Sequence, residues 1–314
     1  MKRLLLFLPA IIILPLISVY IFIPPTIRVS NNISLECTTN GLSTVLQQYE
    51  KWGSWWPQKE AFSIEDSSYI YKDYRYKLIT PLTDGAIIDV SNSKDHFETR
   101  MIIIPQGRDS VTLEWQANFI SGINPFKRIS QYFKAAGLKK NMHEVLGNLK
   151  TFAGETENIY GFPIQRTTFT DTVLLATKFS TGTYPSNEII YKAINLLKKK
   201  ITDAGAEEKD FPMLNVKKSD SNTYETMIAI CINKRIKTDP DFFISLMVPM
   251  KDRFLATEVT GGPFTLQKAH EAIVNYMDDH FLSAPAIPFE ILITDRSREM
   301  DTSKWKTKIF YPSM

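Results

Sequence analysis

Leu174-Leu175-Ala176-Thr177-Lys178 recurs 80 positions later as Phe254-Leu255-Ala256-Thr257-Glu258. The match continues, with Gly182 against Gly262 and Tyr184 against Phe264. After a one-residue gap Lys192-Ala193-Ile194 falls against Glu271-Ala272-Ile273, and Tyr224-Glu225-Thr226 resembles Trp305-Lys306-Thr307. A segment repeated once at this spacing is a duplicated supersecondary unit. Each copy reads as a strand, a turn with glycine, a helix and two further strands. The first helix is predicted over Ser186 to Asp203, with Ile190, Ala193, Ile194 and Leu197 on its buried face. The second is predicted over Thr265 to His280, with Ala269, Ala272, Ile273 and Tyr276 buried. Two such copies imply a pseudo-symmetric domain with a pocket where they meet.

Upstream of the repeat the pattern changes. Ile33 to Cys37 alternates as a strand, and Asn40 is placed to cap a helix over Ser43 to Glu50. Tyr69 to Leu78 and Gly85 to Val90 read as strands. So does His96 to Ile104, where Phe97, Thr99, Met101 and Ile103 share a face. In the next strand Val111, Leu113, Trp115, Ala117 and Phe119 form the inner face, and the polar residues between them, Glu114 included, point outward. Asn124-Pro125 opens a long helix. Its expected buried stripe is Phe126, Ile129, Phe133 and Ala136, continued near Val145, Leu149 and Phe152. An antiparallel sheet gripping that helix satisfies the order. Glu155 to Gly161 is polar, ends in glycine and reads as a linker.

Met1-Lys2-Arg3 precedes an uncharged, mostly apolar run from Leu4 to Ile23. Twenty helical residues span about 30 Å, the thickness of a bilayer core. Pro9 and Pro15 are tolerable in a membrane helix. A cleaved signal peptide is the rival reading; it calls for a shorter apolar run and small residues at its end, and Val19 to Pro25 offers neither. Lys2 and Arg3 favour a cytoplasmic N-terminus, so the rest of the chain is expected on the far side, the periplasm in a bacterium. The length of 314 residues fits about two domains beyond the anchor. A net charge of +3 is too small to argue for nucleic acid. Cys37 and Cys231, the only cysteines, form no disulfide framework and read as small buried hydrophobes. Lys198-Lys199-Lys200 and Lys139-Lys140 read as solvated helix faces, with binding to anionic lipid as the alternative.

Trp55-Trp56-Pro57 after the first helix, with Asn124-Pro125-Phe126 leading into the long one, resembles the START/polyketide-cyclase superfamily (SRPBCC) with its helix-grip fold. The second half resembles the GyrI-like, or bacterial effector-binding, family. The residues that carry this are Thr260-Gly261-Gly262-Pro263-Phe264, Pro288-Phe289-Glu290-Ile291-Leu292 and Thr307-Lys308-Ile309-Phe310-Tyr311-Pro312. That resemblance implies two βαββ units around a pocket for small, often cationic or aromatic compounds, in transcription regulators or in hydrolases of reactive molecules. Lys308 stands where the family has an acid. An anchor and a different fold stand where its regulators carry a DNA-binding module.

Glu290 is the sharpest candidate, because the resemblance places an acid there, near the pocket. A partly buried carboxylate attracts a cationic ligand or serves as a base toward water. The alternative is a strand residue that points to solvent or pairs with Lys308. Glu258 and Lys178 hold matching places in the two copies, as polar pocket walls or as solvated strand ends. Tyr184, Phe264, Tyr224 and Trp305 are aromatic at matched positions and suit a pocket wall or an ordinary core. Trp115 is expected at an apolar cavity of the first domain. Trp52, Trp55 and Trp56 read as its rim, as a membrane-interface belt or as plain packing. His96, His143, His270 and His280 show no metal spacing and no nucleophile partner, and read as structural or surface residues.

The expected protein is α+β: a transmembrane anchor over residues 1–25, a helix-grip domain over 26–157 and a GyrI-like domain over 158–314. Its expected partners are a small molecule and, through the N-terminal helix, the bacterial inner membrane, with no nucleic acid, cofactor or metal. The leading function is a membrane-tethered small-molecule binding protein. The alternative is a hydrolase or cyclase of a hydrophobic or reactive compound, with Glu290 activating water.

Overall fold

The computed structural model describes residues 16–58, 62–64, 67–170, 173–219, 222–247 and 251–314. The fold is α+β, built on two antiparallel sheets. The chain divides into two units, Met1–Ile159 and Tyr160–Met314.

The first unit holds strands β1 (Thr26–Leu35), β2 (Phe62–Ser63), β3 (Ser68–Tyr71), β4 (Tyr74–Leu82), β5 (Gly85–Ser91), β6 (His96–Pro105) and β7 (Val111–Ile120). They form one sheet in the order β1-β7-β6-β5-β4-β3-β2. The helices α1 (Thr39–Gln47) and α2 (Pro125–Ala153) belong to the same unit. Strict alternation in β7 turns Val111, Leu113, Trp115, Ala117 and Phe119 inward, and all five are buried. Asn124 caps α2, accepting at 2.9 Å from the Phe126 N–H and at 3.2 Å from the Lys127 N–H, with Pro125 in the first turn.

Several expectations for this unit change. β1 starts at Thr26, because Thr26 to Leu35 pairs in continuous register with β7; tertiary pairing outweighs the weak local pattern. Thr38, not Asn40, caps α1, its hydroxyl accepting from Gly41 N at 3.0 Å. The tryptophans are packing: Trp52 and Trp56 stack at 5.9 Å inside the core, and their indoles donate to Leu46 O and Ile70 O. α2 buries Ala135, Leu138, Met142, Val145, Leu146 and Leu149, while Phe126 and Phe133 are exposed. At 100° per residue the first half of the expected stripe, Phe126 to Ala136, lies on the side opposite this buried face, whereas its continuation at Val145 and Leu149 lies on it. The helix carries two apolar stripes, and periodicity cannot tell which one meets the sheet.

The second unit holds β8 (Gln165–Thr167), β9 (Val173–Thr181), β10 (Met213–Lys218), β11 (Tyr224–Cys231), β12 (Phe243–Leu246), β13 (Phe254–Thr260), β14 (Phe289–Leu292) and β15 (Lys306–Pro312). The expected linker contains a short helix, α3 (Thr156–Tyr160). The two repeat helices are α4 (Asn187–Asp203), capped by Ser186, and α5 (Pro263–Asp279). The sheet order is β12-β9-β11-β10-β14-β15-β13-β8. The copies β9-α4-β10-β11 and β13-α5-β14-β15 therefore meet at β10 and β14. Strand alternation sorts the sheet into two faces. Leu175, Leu214, Ile228 and Leu292 pack under α4, and Leu255, Val259 and Ile309 pack under α5. Leu174, Met213, Ala229, Phe254, Phe289 and Phe310 form an apolar layer on the other face. Both helices thus share one face.

Residues 1–15 of the expected anchor, Pro9 and Pro15 included, lie outside the described residues, and residues 16–22 are helical. No helix among the described residues is long and apolar enough to cross a membrane. Cys37 and Cys231 are buried thiols in different units.

The Trp115 indole is fully buried and donates to Thr99 Oγ1 at 2.9 Å. Trp115→Ala is expected to destabilise the first unit by about 3–5 kcal/mol, read as a fall in the urea midpoint of its unfolding.

Candidate functional site

Where the copies meet, the central strands lie between α4 and α5, over a groove of about 620 Å³. Pro212-Met213-Leu214 and Pro288-Phe289-Glu290 are corresponding segments of the two copies. Leu214 and Glu290 face each other directly across the β10–β14 ladder. Glu290 therefore sits at the pseudo-twofold axis, on the groove floor.

Strand parity decides which neighbours it has. Glu290 shares the helix-side face with Thr307, Ile309 and Tyr311 of β15. On α5, Leu266, Ala269 and Ile273 pack onto the sheet; His270 is one step round from Ala269 and reaches the groove edge. Its Nε2 lies 3.2 Å from Glu290 Oε1, and its Nδ1 lies 2.9 Å from the Tyr311 hydroxyl. An ionised carboxylate only accepts, so Nε2 carries the proton and Nδ1 accepts from Tyr311.

Arg296 closes the other side, donating to Glu290 Oε2 at 3.2 Å and to Thr307 Oγ1 at 2.7 Å. Its guanidinium lies 5.0 Å over the Trp305 ring, and its backbone N–H donates to the Tyr191 hydroxyl at 2.7 Å. Trp305 is fixed in turn by donation to Glu299 O at 2.9 Å. The Arg296 and Glu290 side chains are 5% and 13% exposed, so this ion pair is buried. Burial opposes ionisation of Glu290, but the His270 hydrogen bond and the Arg296 charge outweigh it and hold the carboxyl below its usual range. Burial, and then the Glu290 charge, push the Tyr311 phenol up to about 12. Tyr311 is therefore a proton donor at neutral pH.

Of the residues named from sequence, Glu290, Tyr184 and Trp305 line this groove. Tyr184 is a half-exposed rim residue, and desolvation at the groove, then the Glu290 charge, push its phenol up to about 12. Tyr224 stands behind it, ring to ring at 5.9 Å, outside the lining. Phe264 is largely exposed beside Lys268, because it lies two residues, about 200°, from the buried Leu266. Glu258 is exposed opposite Lys308 on the helix-free face, with the parity of Phe254 and Ala256. Lys178 shares that face and is also exposed. Trp115 fills the core of the first unit. Sequence reasoning missed three residues here. His270 reads from sequence as a structural or surface residue without metal spacing or a nucleophile partner, Tyr311 only as part of the chain's closing motif, and Arg296 carries no signal; the parity of Tyr311 with Thr307 was the available one.

A second cavity of about 400 Å³ opens on the helix-free face among Met213, Met227, Met247, Phe254 and Phe289. Among the described residues no group of three or more His, Cys, Asp or Glu is placed to hold a metal.

No protein-family model and no curated protein matches the sequence. Among solved structures the chain is similar to the EcmrR C-terminal domain, at 13% identity and a TM-score of 0.42, over 49% of this chain and 98% of that one. It is also similar to a START superfamily protein from Mycobacterium smegmatis, at 14% identity and a TM-score of 0.29, over 40% of this chain and 96% of that one. A third similarity is to the di-domain ARO/CYC BexL from the BE-7585A biosynthetic pathway, at 7% identity and a TM-score of 0.33, over 92% and 85% of the two chains. All three scores lie below 0.5, and the chemistry of the site rests on its own side chains.

Glu290→Gln leaves the Arg296 charge buried and is expected to cost about 3 kcal/mol, partly recovered in Glu290→Gln/Arg296→Met. A double-mutant cycle in urea measures the coupling. Because the folded-state pKa of Glu290 is depressed, its stabilisation is present above the unfolded value of about 4.3 and is lost as pH falls through the folded value. The wild type should lose stability in that acid window, and Glu290→Gln should lack this component.

Proposed function

We propose that the second unit binds a small, largely apolar or aromatic molecule in the groove between α4 and α5. The observation that carries this is the buried Glu290–Arg296 pair on the groove floor. Its charge is already compensated, so the site does not need a cationic ligand. Tyr311 and Tyr184 offer hydrogen bonds to a polar end, while Leu214, Leu266 and Trp305 receive the apolar body. The first unit, with its interior filled by Trp115 and its neighbours, is not assigned a ligand. The apolar run Leu4 to Ile23 tethers the protein in the bacterial inner membrane, with both units on the periplasmic side.

A second reading rests on the Tyr311–His270–Glu290 chain. In it, the Tyr311 O–H gives its proton to an oxygen that gains charge as a bound substrate is opened or hydrolysed. His270 Nδ1, no longer accepting from Tyr311, takes up a proton from water to form an imidazolium that Glu290 stabilises, and passes that proton to the phenolate, returning to the neutral Nε2–H form. Both Glu290 oxygens are engaged, so in this reading His270, rather than Glu290, exchanges protons with water.

Native mass spectrometry of the full chain purified from its own host separates the two readings. A retained, unaltered molecule that is lost from Arg296→Met is the expected result. A chemically altered molecule, with turnover lost but binding kept in Tyr311→Phe and His270→Gln, would favour catalysis. A groove empty from every preparation, with no thermal shift across broad compound libraries, would overturn both, since a ligand at 100 times its Kd adds about 2.7 kcal/mol. For the tether, a reporter that works only in the cytoplasm should be inactive when fused after Met314; activity would reverse the topology.

A further inference from the structure

The apolar stripe of α2 that turns away from its own sheet needs another explanation. Phe126 and Phe133 are 74% and 69% exposed, and Ile120 and Ile123, just before the helix, are 76% and 84% exposed. Four large apolar side chains within 14 residues of sequence make a patch, not a scatter of single exposed residues. Phe126 and Phe133 are two helical turns apart on one side of α2, separated by about 10 Å along its axis.

The chain entering this unit is fastened at the same place. Ser121 Oγ lies 2.8 Å from Pro24 O and 2.9 Å from Pro25 O, and Ser121 N donates to Pro25 O at 2.9 Å. Arg128 donates from Nη1 to Ile23 O at 2.8 Å and from Nε to Gly122 O at 2.7 Å. Its guanidinium lies 4.6 Å over the Tyr20 ring, and the Tyr20 hydroxyl donates to Ile123 O at 2.7 Å. β1 then begins at Thr26, paired with Ile120. No slack chain separates the end of the apolar run from the folded unit.

We propose that the Ile120–Phe133 face of the first unit lies on the bilayer surface, with Ile120, Ile123, Phe126 and Phe133 inserted at the headgroup level. The inference rests on the tether reading of Leu4 to Ile23 and adds a fixed orientation to it. If Ile23 ends the apolar span, Tyr20 lies about 4.5 Å deeper along a helix. The hydrogen bond from the Tyr20 hydroxyl holds Ile123 beside this last turn of the span. Tyrosine at the boundary and exposed Ile21 and Phe22 beside it suit the interface. Lys127 and Lys140, both exposed on α2, supply positive charge for anionic headgroups.

The test uses the full chain in phosphatidylcholine–phosphatidylglycerol vesicles that carry a lipid-borne quencher. Single variants Ile123→Cys, Phe133→Cys and Arg108→Cys are labelled with an environment-sensitive fluorophore; the native cysteines are buried. Arg108 lies beyond the far end of β7, whose ten residues rise about 34 Å. The probes at 123 and 133 should lose most of their emission to the quencher, and the probe at 108 should keep it. Vesicle flotation with equal emission at all three positions would sink the docked orientation and leave the tether standing. Failure to float would remove the tether and this inference together. Cross-linking between two copies through position 133, without quenching, would assign the patch to a second copy and overturn the lipid assignment.

Discussion

The second unit is organised around one buried ion pair at the place where its two copies meet. A carboxylate alone at that depth would be driven neutral, and a guanidinium alone would be a heavy desolvation cost. Together they stand because each is held by further groups: Glu290 by His270, and Arg296 by Thr307, the Trp305 ring and Tyr191. These partners come from α4, α5, β15 and the loops around β14. The groove is therefore shaped by a charge that must not be left unpaired. The copies have diverged around it. Thr307 accepts from Arg296, whereas the hydroxyl of its repeat counterpart Thr226 is buried with no hydrogen-bond partner among the described residues.

The two units spend their interiors differently. In the first, aromatic rings close the space between sheet and helix: Trp52, Trp56, Tyr76 and Trp115 make successive ring contacts at 5 to 6 Å. Apolar side chains interlocked in this way leave little for a ligand to add. In the second, the helices stand apart over β10 and β14, and the floor between them carries charge. The polar groups are there, and so is the room, which is why function is assigned to that groove.

Much of this was legible in the sequence wherever periodicity and caps agree. The repeat set out both βαββ copies, Ser186 and Asn124 marked helix starts, and alternation placed Trp115 inside. The position of Glu290 near a pocket came from a family resemblance rather than from its neighbours. Other features depend on contacts distant in sequence. His270 and Tyr311 are 41 positions apart and meet only through the packing of α5 on β15. Arg296 sits in a loop, where no periodicity operates. On α2 the local signal was present on two faces, and only the sheet chose between them. Phe264 matched Tyr184 in the alignment but starts a helix, and helical phase carries it away from the groove.

The position of Glu290 on the pseudo-twofold axis bears on the origin of the domain. Residues directly opposed in an antiparallel ladder have Cβ atoms about 5 Å apart. A symmetric pair of identical βαββ chains carrying an acid there would set two carboxylates against each other and could not ionise both. Fusing the copies into one chain lifts that restriction. One half keeps an acid, the other places Leu214 against it, and a twofold scaffold acquires a chemically one-sided site that an exact dimer could not build.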